Sequence, residues 1–123
     1  MTNVPMPSHQ LYRLEWIHVP GKFLAAKTST GEMAAMIFTT RERAQQFLEA
    51  KDLSEECKLS ATDPRIAVTW LRTALKAGEA STVAIDPDPA LSDQTSCCRA
   101  IFDILVFVEG RQKGDWWIRS PEN

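Results

Sequence analysis

Residues 33–48, MAAMIFTTRERAQQFL, run from an apolar stretch straight into a marked helix start, and the reading of that junction sets the fold class. Met33 to Phe38 is short, apolar and free of breakers, as a buried strand is. Thr39 stands three residues before Glu42, the spacing of a capping box. In that arrangement the hydroxyl accepts an amide hydrogen and the carboxylate reaches back to the cap's own amide. Ala44, Phe47 and Leu48 then recur at i, i+3 and i+4, opposite Arg41, Glu42, Gln45 and Glu49, so one helix face is apolar. The helix is expected to end near Asp52. A strand feeding a helix through a tight junction points to a mixed fold.

Toward the N-terminus, residues 11–19, LYRLEWIHV, alternate in the manner of a half-buried strand, with Tyr12, Leu14 and Trp16 on one face. Pro20-Gly21 supplies a turn, Phe23 to Ala26 re-enters extended structure, and Ser29 to Glu32 turns again into the Met33 run. Three strands joined by short turns predict an antiparallel meander. Residues 1–10 carry two prolines and no apolar period, and they read as a loose arm ahead of a single domain over 11–123. The same segment lacks the basic and apolar regions of a secretory signal.

Toward the C-terminus, a short extended piece is expected around Cys57-Lys58-Leu59. Asp63-Pro64 opens a second helix, Asp as cap and Pro at a position where its missing amide costs nothing. Ala67, Trp70, Leu71, Ala74 and Leu75 form its stripe, and Gly78 suits a left-handed end. Thr82 to Ile85 reads as a buried strand closed by Asp86-Pro87-Asp88-Pro89. Residues 99–119 fit either a helix or a hairpin. The helix, from about Thr95 to Gln112 with Asp93 as its cap, is the preferred reading, because Ile101, Ile104, Leu105 and Val108 keep helical spacing and no turn interrupts them. The result is an α+β fold: an antiparallel meander sheet with two to three packed helices. Trp16, Phe38, Phe47, Leu48, Trp70, Leu71, Val83 and Ile85 are expected to share one core.

Residues 36–48, MIFTTRERAQQFL, and residues 70–87, WLRTALKAGEASTVAIDP, resemble the SseB-type N-terminal domain family. In that family a strand ending in Phe-Thr-Ser/Thr leads into a helix, and a later helix leads into a strand closed by Val-Ala-hydrophobic-Asp-Pro. The likeness spans about residues 11–89. It implies a small α+β fold and an association with secretion-linked and otherwise uncharacterised bacterial proteins, with no catalytic residue set.

Composition narrows the function classes. The 123 residues are 44% apolar with four Trp and five Phe, enough to build a core. Fourteen Lys+Arg against 16 Asp+Glu give a net charge of −2, which disfavours a broad phosphate-binding face and so nucleic acid. No apolar run reaches the ~18–20 residues of a membrane span. Cys57, Cys97 and Cys98 are an odd count at spacings that fit no disulfide framework, and reduced thiols in a cytoplasm are expected. Adjacent cysteines also lack metal-ligand spacing, and neither histidine sits in a nucleophile motif, so no metal, cofactor or thiol catalysis is expected.

The remaining candidates are binding residues. Asp86 and Asp88, two apart at a strand end, place both carboxylates on one face if the backbone stays extended, which leaves open a small-ligand site or an acidic enzyme site. Otherwise the prolines end the strand and the acids solvate the turn. Arg41 and Arg43 oppose the dipole at a helix start, a contact for an acidic partner or a solvated charged face. Trp116-Trp117 cannot both face one core, so one indole is expected to meet a partner or a second copy of the chain. The function these features suggest is a non-catalytic protein-binding or adaptor module of a bacterial cytoplasm.

Overall fold

The first strand, β1 (Leu11–Trp16), is hydrogen-bonded along both edges in the computed structural model, which describes residues 10–90 and 98–110. Its odd-numbered residues face β4 (Cys57–Thr62), antiparallel, with Leu11 opposite Thr62 and Arg13 opposite Ser60. Its even-numbered residues face the other way. Tyr12 exchanges two bonds of 2.9 Å with Phe38, and the Leu24 amide donates to the Leu14 carbonyl at 2.7 Å.

Beyond that edge lies a four-stranded sheet in the order β2 (Ala25–Lys27), β3 (Met33–Ile37), β5 (Thr82–Ile85) and β6 (Cys98–Ala100). The β2–β3 and β5–β6 pairs are antiparallel, the first joined by a short turn. The β3–β5 pair is parallel, with Ala35 opposite Val83 and Ile37 opposite Ile85. Parallel neighbours need a long crossover. Here it is α1 (Arg41–Ala50), β4 and α2 (Pro64–Lys76). The fold is α+β, with an antiparallel start and a parallel pair at its centre.

Burial on both faces of β3 and β5 divides the core. Ala35, Ile37, Val83 and Ile85 pack with Leu11, with Ala67, Val68, Leu71 and Ala74 of α2, and with Ile101 and Ile104 of α3 (Ile101–Glu109). Met36 and Phe38 pack on the opposite side with Leu14, Cys57 and α1's Ala44, Phe47 and Leu48. The single core expected from the sequence is therefore two, because successive strand residues face opposite ways. Trp16 borders the α1 core and Trp70 the α2 core, each only half-buried.

The helix ends follow backbone chemistry. Asp63 caps α2 as expected, its carboxylate accepting from the Arg65 amide at 2.8 Å. Gly78, at φ 72°, closes α2: its amide donates to Leu75 at 3.2 Å, and the Glu79 amide donates to Ala74 at 2.9 Å. The same pair of bonds closes α1, from Asp52 to Glu49 at 3.1 Å and from Leu53 to Leu48 at 2.9 Å. There the left-handed residue is Asp52, at φ 56°.

Two expected boundaries are corrected. The cap of α1 is Thr40, whose hydroxyl accepts from the Arg43 amide at 3.2 Å, because Thr39 is engaged elsewhere. The C-terminal helix begins at Ile101 rather than near Thr95, since Cys98–Ala100 form a strand held by Thr82 Oγ1, which donates to the Arg99 carbonyl at 2.8 Å. The helical reading of residues 101–109 stands. Cys57 and Cys98 are free thiols. No helix among the described residues is long and apolar enough to cross a membrane. The expected arm over residues 1–9, the Asp93 cap and Cys97 lie outside the described residues.

Leu71 is fully buried, whereas Ile66 on the same helix is 60% exposed. Leu71→Ala should lower unfolding free energy by about 2–5 kcal/mol, and Ile66→Ala should stay within about 0.5 kcal/mol, both read by urea denaturation. Asp52→Gly should stabilise by about 0.5–1 kcal/mol, because glycine enters the left-handed region without the Cβ clash.

Candidate functional site

The acidic turn after β5 does not assemble a two-carboxylate site. Asp86 is in the left-handed region at φ 51°, so the extended geometry that would align it with Asp88 ends there. Its amide still donates to the Ile37 carbonyl at 2.8 Å, extending the parallel ladder by one residue. Both carboxylate oxygens turn back onto the β3–α1 junction. Oδ1 accepts from the Thr39 amide at 2.7 Å, and Oδ2 accepts from the Thr39 hydroxyl at 2.6 Å. The Arg43 Nε lies 3.9 Å from Oδ2, on a side chain that is 60% exposed, so the ion pair contributes less than about 1 kcal/mol. Asp88 is engaged separately, its Oδ1 accepting from the Ala90 amide at 2.9 Å.

Arg43 and Asp86 are thus brought together, and their role is to clasp two parts of the fold. Arg41 faces a shallow, solvent-open depression on α1, shared with Glu42, Gln45 and Gln46. It has no ion-pair partner among the described residues. Trp116 and Trp117 lie outside the described residues.

Thiol chemistry at Cys57 is disfavoured. The side chain is buried, and burial, followed by the charge of Glu56, pushes its pKa up, so the nucleophilic thiolate is suppressed. Among the described residues no group of three or more His, Cys, Asp or Glu side chains is placed to hold a metal ion.

Two features escaped the sequence. The first is Arg13, which reads there only as a polar position of an alternating strand. Its guanidinium lies 3.8 Å from the centroid of the Phe23 ring and 4.9 Å from that of Trp70. The two rings meet edge to face at 5.3 Å. Burial pulls the Arg13 pKa below its ordinary value, and the charge of Glu15 opposes that shift. The partners are ten and 57 residues along the chain, and no local pattern joins them.

The second is the outer face of α3. Ile101 and Ile104 are buried, but Phe102 is 64% and Val106 53% exposed. They stand at i and i+4, one above the other, with Glu109 continuing the stripe and Asp103 beside it. The periodicity was visible in the sequence. What hid the exposed stripe is that residues 101–108 are apolar at every position but Asp103, so hydropathy alone does not say which face is covered.

Neither a scan of protein-family models nor a search of curated proteins finds a match to this chain.

The Asp86 clasp can be tested against its neighbour-preserving variant. Asp86→Ala removes two bonds to a charged acceptor and leaves a Cβ residue in the left-handed region, and should cost about 2–4 kcal/mol in urea denaturation. Asp86→Asn tolerates that backbone and keeps an oxygen for the Thr39 amide, so its cost should be about 1 kcal/mol or less.

Proposed function

We propose that the chain is a non-catalytic protein-binding module, an adaptor of a bacterial cytoplasm, whose partner docks on the outer face of α3. The observation that carries this reading is the exposed pair Phe102 and Val106 on a helix whose other face is already packed on the sheet. Large apolar side chains in a rigid setting are what interface hot spots are built from, and a helix stripe at i and i+4 suits docking against another helix. The resemblance of residues 11–89 to the SseB-type N-terminal domain family agrees with a secretion-linked binding role.

Charge selects the partner's chemistry. Asp103 lies beside the stripe, while Glu109 at its end is paired with Arg72 at 3.3 Å. The complementary surface is therefore an amphipathic helix with an apolar face and a basic flank opposite Asp103. A second copy fits less well. A two-fold axis through the stripe brings the Asp103 carboxylates of both copies to one interface. The acidic-site alternative has less support, since the carboxylates of Asp86 and Asp88 are each engaged within the chain.

The test is site-specific photo-crosslinking in cells, with the crosslinker at position 102 and, as a control, at exposed position 46 on α1. The reading predicts a discrete adduct from position 102 only, lost in Val106→Asp, with a partner segment that forms a basic-flanked amphipathic helix. Equal adducts from both positions overturn it. An adduct of the chain with itself, accompanied by a Val106-dependent dimer in sedimentation equilibrium, replaces the partner with a second copy.

A further inference from the structure

Arg13 is held as an unusual cation. Its Nε is out of contact with solvent and donates no hydrogen bond to any described residue, while the residue as a whole is only half-buried. None of the guanidinium's five donors is used within the described chain, and no carboxylate stands within ion-pair distance. The nearest acid along its own strand, Glu15, has one oxygen engaged by the Gly21 amide at 2.9 Å. What holds the group is contact with two rings, Phe23 at 3.8 Å and Trp70 at 4.9 Å from ring centroid to guanidinium carbon.

The surroundings of the guanidinium on this face of the sheet are polar. Ser60 stands directly opposite Arg13 across the β1–β4 ladder, with its Cβ about 5 Å away and its hydroxyl unbonded among the described residues. Lys58, two residues along the same face of β4, stands opposite Glu15, so the two charges offset each other there. A half-desolvated guanidinium in this setting is pre-oriented, so a ligand accepting from it spends little on ordering the side chain.

We propose that Arg13 and Ser60, with Phe23 and Trp70 as the supporting rings, form an oxyanion-binding site that takes a carboxylate or a phosphate group. The terminal N–H groups donate to either anion in bidentate geometry, and Ser60 adds a third donor. This site lies apart from the α3 stripe and does not depend on a partner docking there.

The experiment is a titration of the uniformly ¹⁵N-labelled full chain, at constant ionic strength, with sodium phosphate and separately with sodium acetate. The Arg13 Nε–Hε signal is assigned by its loss in Arg13→Lys. Expected is a saturable shift of that signal and of the Ser60 amide, both following one dissociation constant, which Ser60→Ala weakens about tenfold by removing a hydrogen bond to a charged acceptor. Saturation with phosphate alone assigns the site to phosphate groups, and saturation with acetate assigns it to carboxylates. A shift that never saturates, or that sodium chloride reproduces, overturns the site. So does a Ser60→Ala variant with unchanged affinity and an unchanged spectrum elsewhere.

Discussion

The parallel pairing of β3 with β5 constrains everything around it. A parallel pair cannot be closed by a turn, so the chain between Ile37 and Thr82 must leave the sheet and return. Strands flanked on both sides also need cover on both faces, which is why Ala34 to Phe38 and Thr82 to Ile85 are buried without a break. The crossover meets both demands: α1 covers one face, α2 the other, and β4 between them gives β1 its second bonded edge. Asp86 fastens the arrangement where the two strands end. Its backbone completes the ladder to Ile37, and its carboxylate holds Thr39 at the point where β3 becomes α1.

Local chemistry was legible in the sequence, and long-range pairing was not. The Asp63-Pro64 start of α2, the Gly78 end and the Thr82–Ile85 strand are each decided by residues within a few positions of one another. The α+β class follows from the order of such segments. The error at Thr39 has the opposite origin. Two adjacent threonines offered the same cap, and the choice between them was made by Asp86, 47 residues downstream. The short strand Cys98–Ala100 was missed for a similar reason, since its partner on β5 is not a hairpin neighbour. The division of the core in two needs the same knowledge, because period two marks which residues share a face but not how many faces are covered.

The candidate binding residues divide along that line as well. Arg43 and Asp86 were picked as potential contacts from composition and position, yet they serve the clasp. Arg13 and Ser60 were passed over because a polar residue on an alternating strand needs no explanation until its neighbours are known. What marks Arg13 is a mismatch between cost and compensation. Removing a guanidinium from water is unfavourable, ring stacking returns part of that, and hydrogen bonds from the described chain return none.

Both proposed surfaces depend on α2. Its buried stripe, Ala67, Val68, Leu71 and Ala74, is sufficient to fix the helix on the sheet, so its flanking residues are released from packing duty. Trp70 leaves on one flank to meet Phe23 and Arg13. Arg72, two residues on and so about 200° around the helix, leaves on the other, where its Nη2 lies 3.3 Å from Glu109 at the end of α3. One rigid helix therefore sets the position of the stacked guanidinium on one side and the end of the apolar stripe on the other. A substitution that loosens α2 as a whole will disturb both surfaces at once, whereas changes at Ser60 or Val106 act on one each. That separation lets the two readings stand or fall independently.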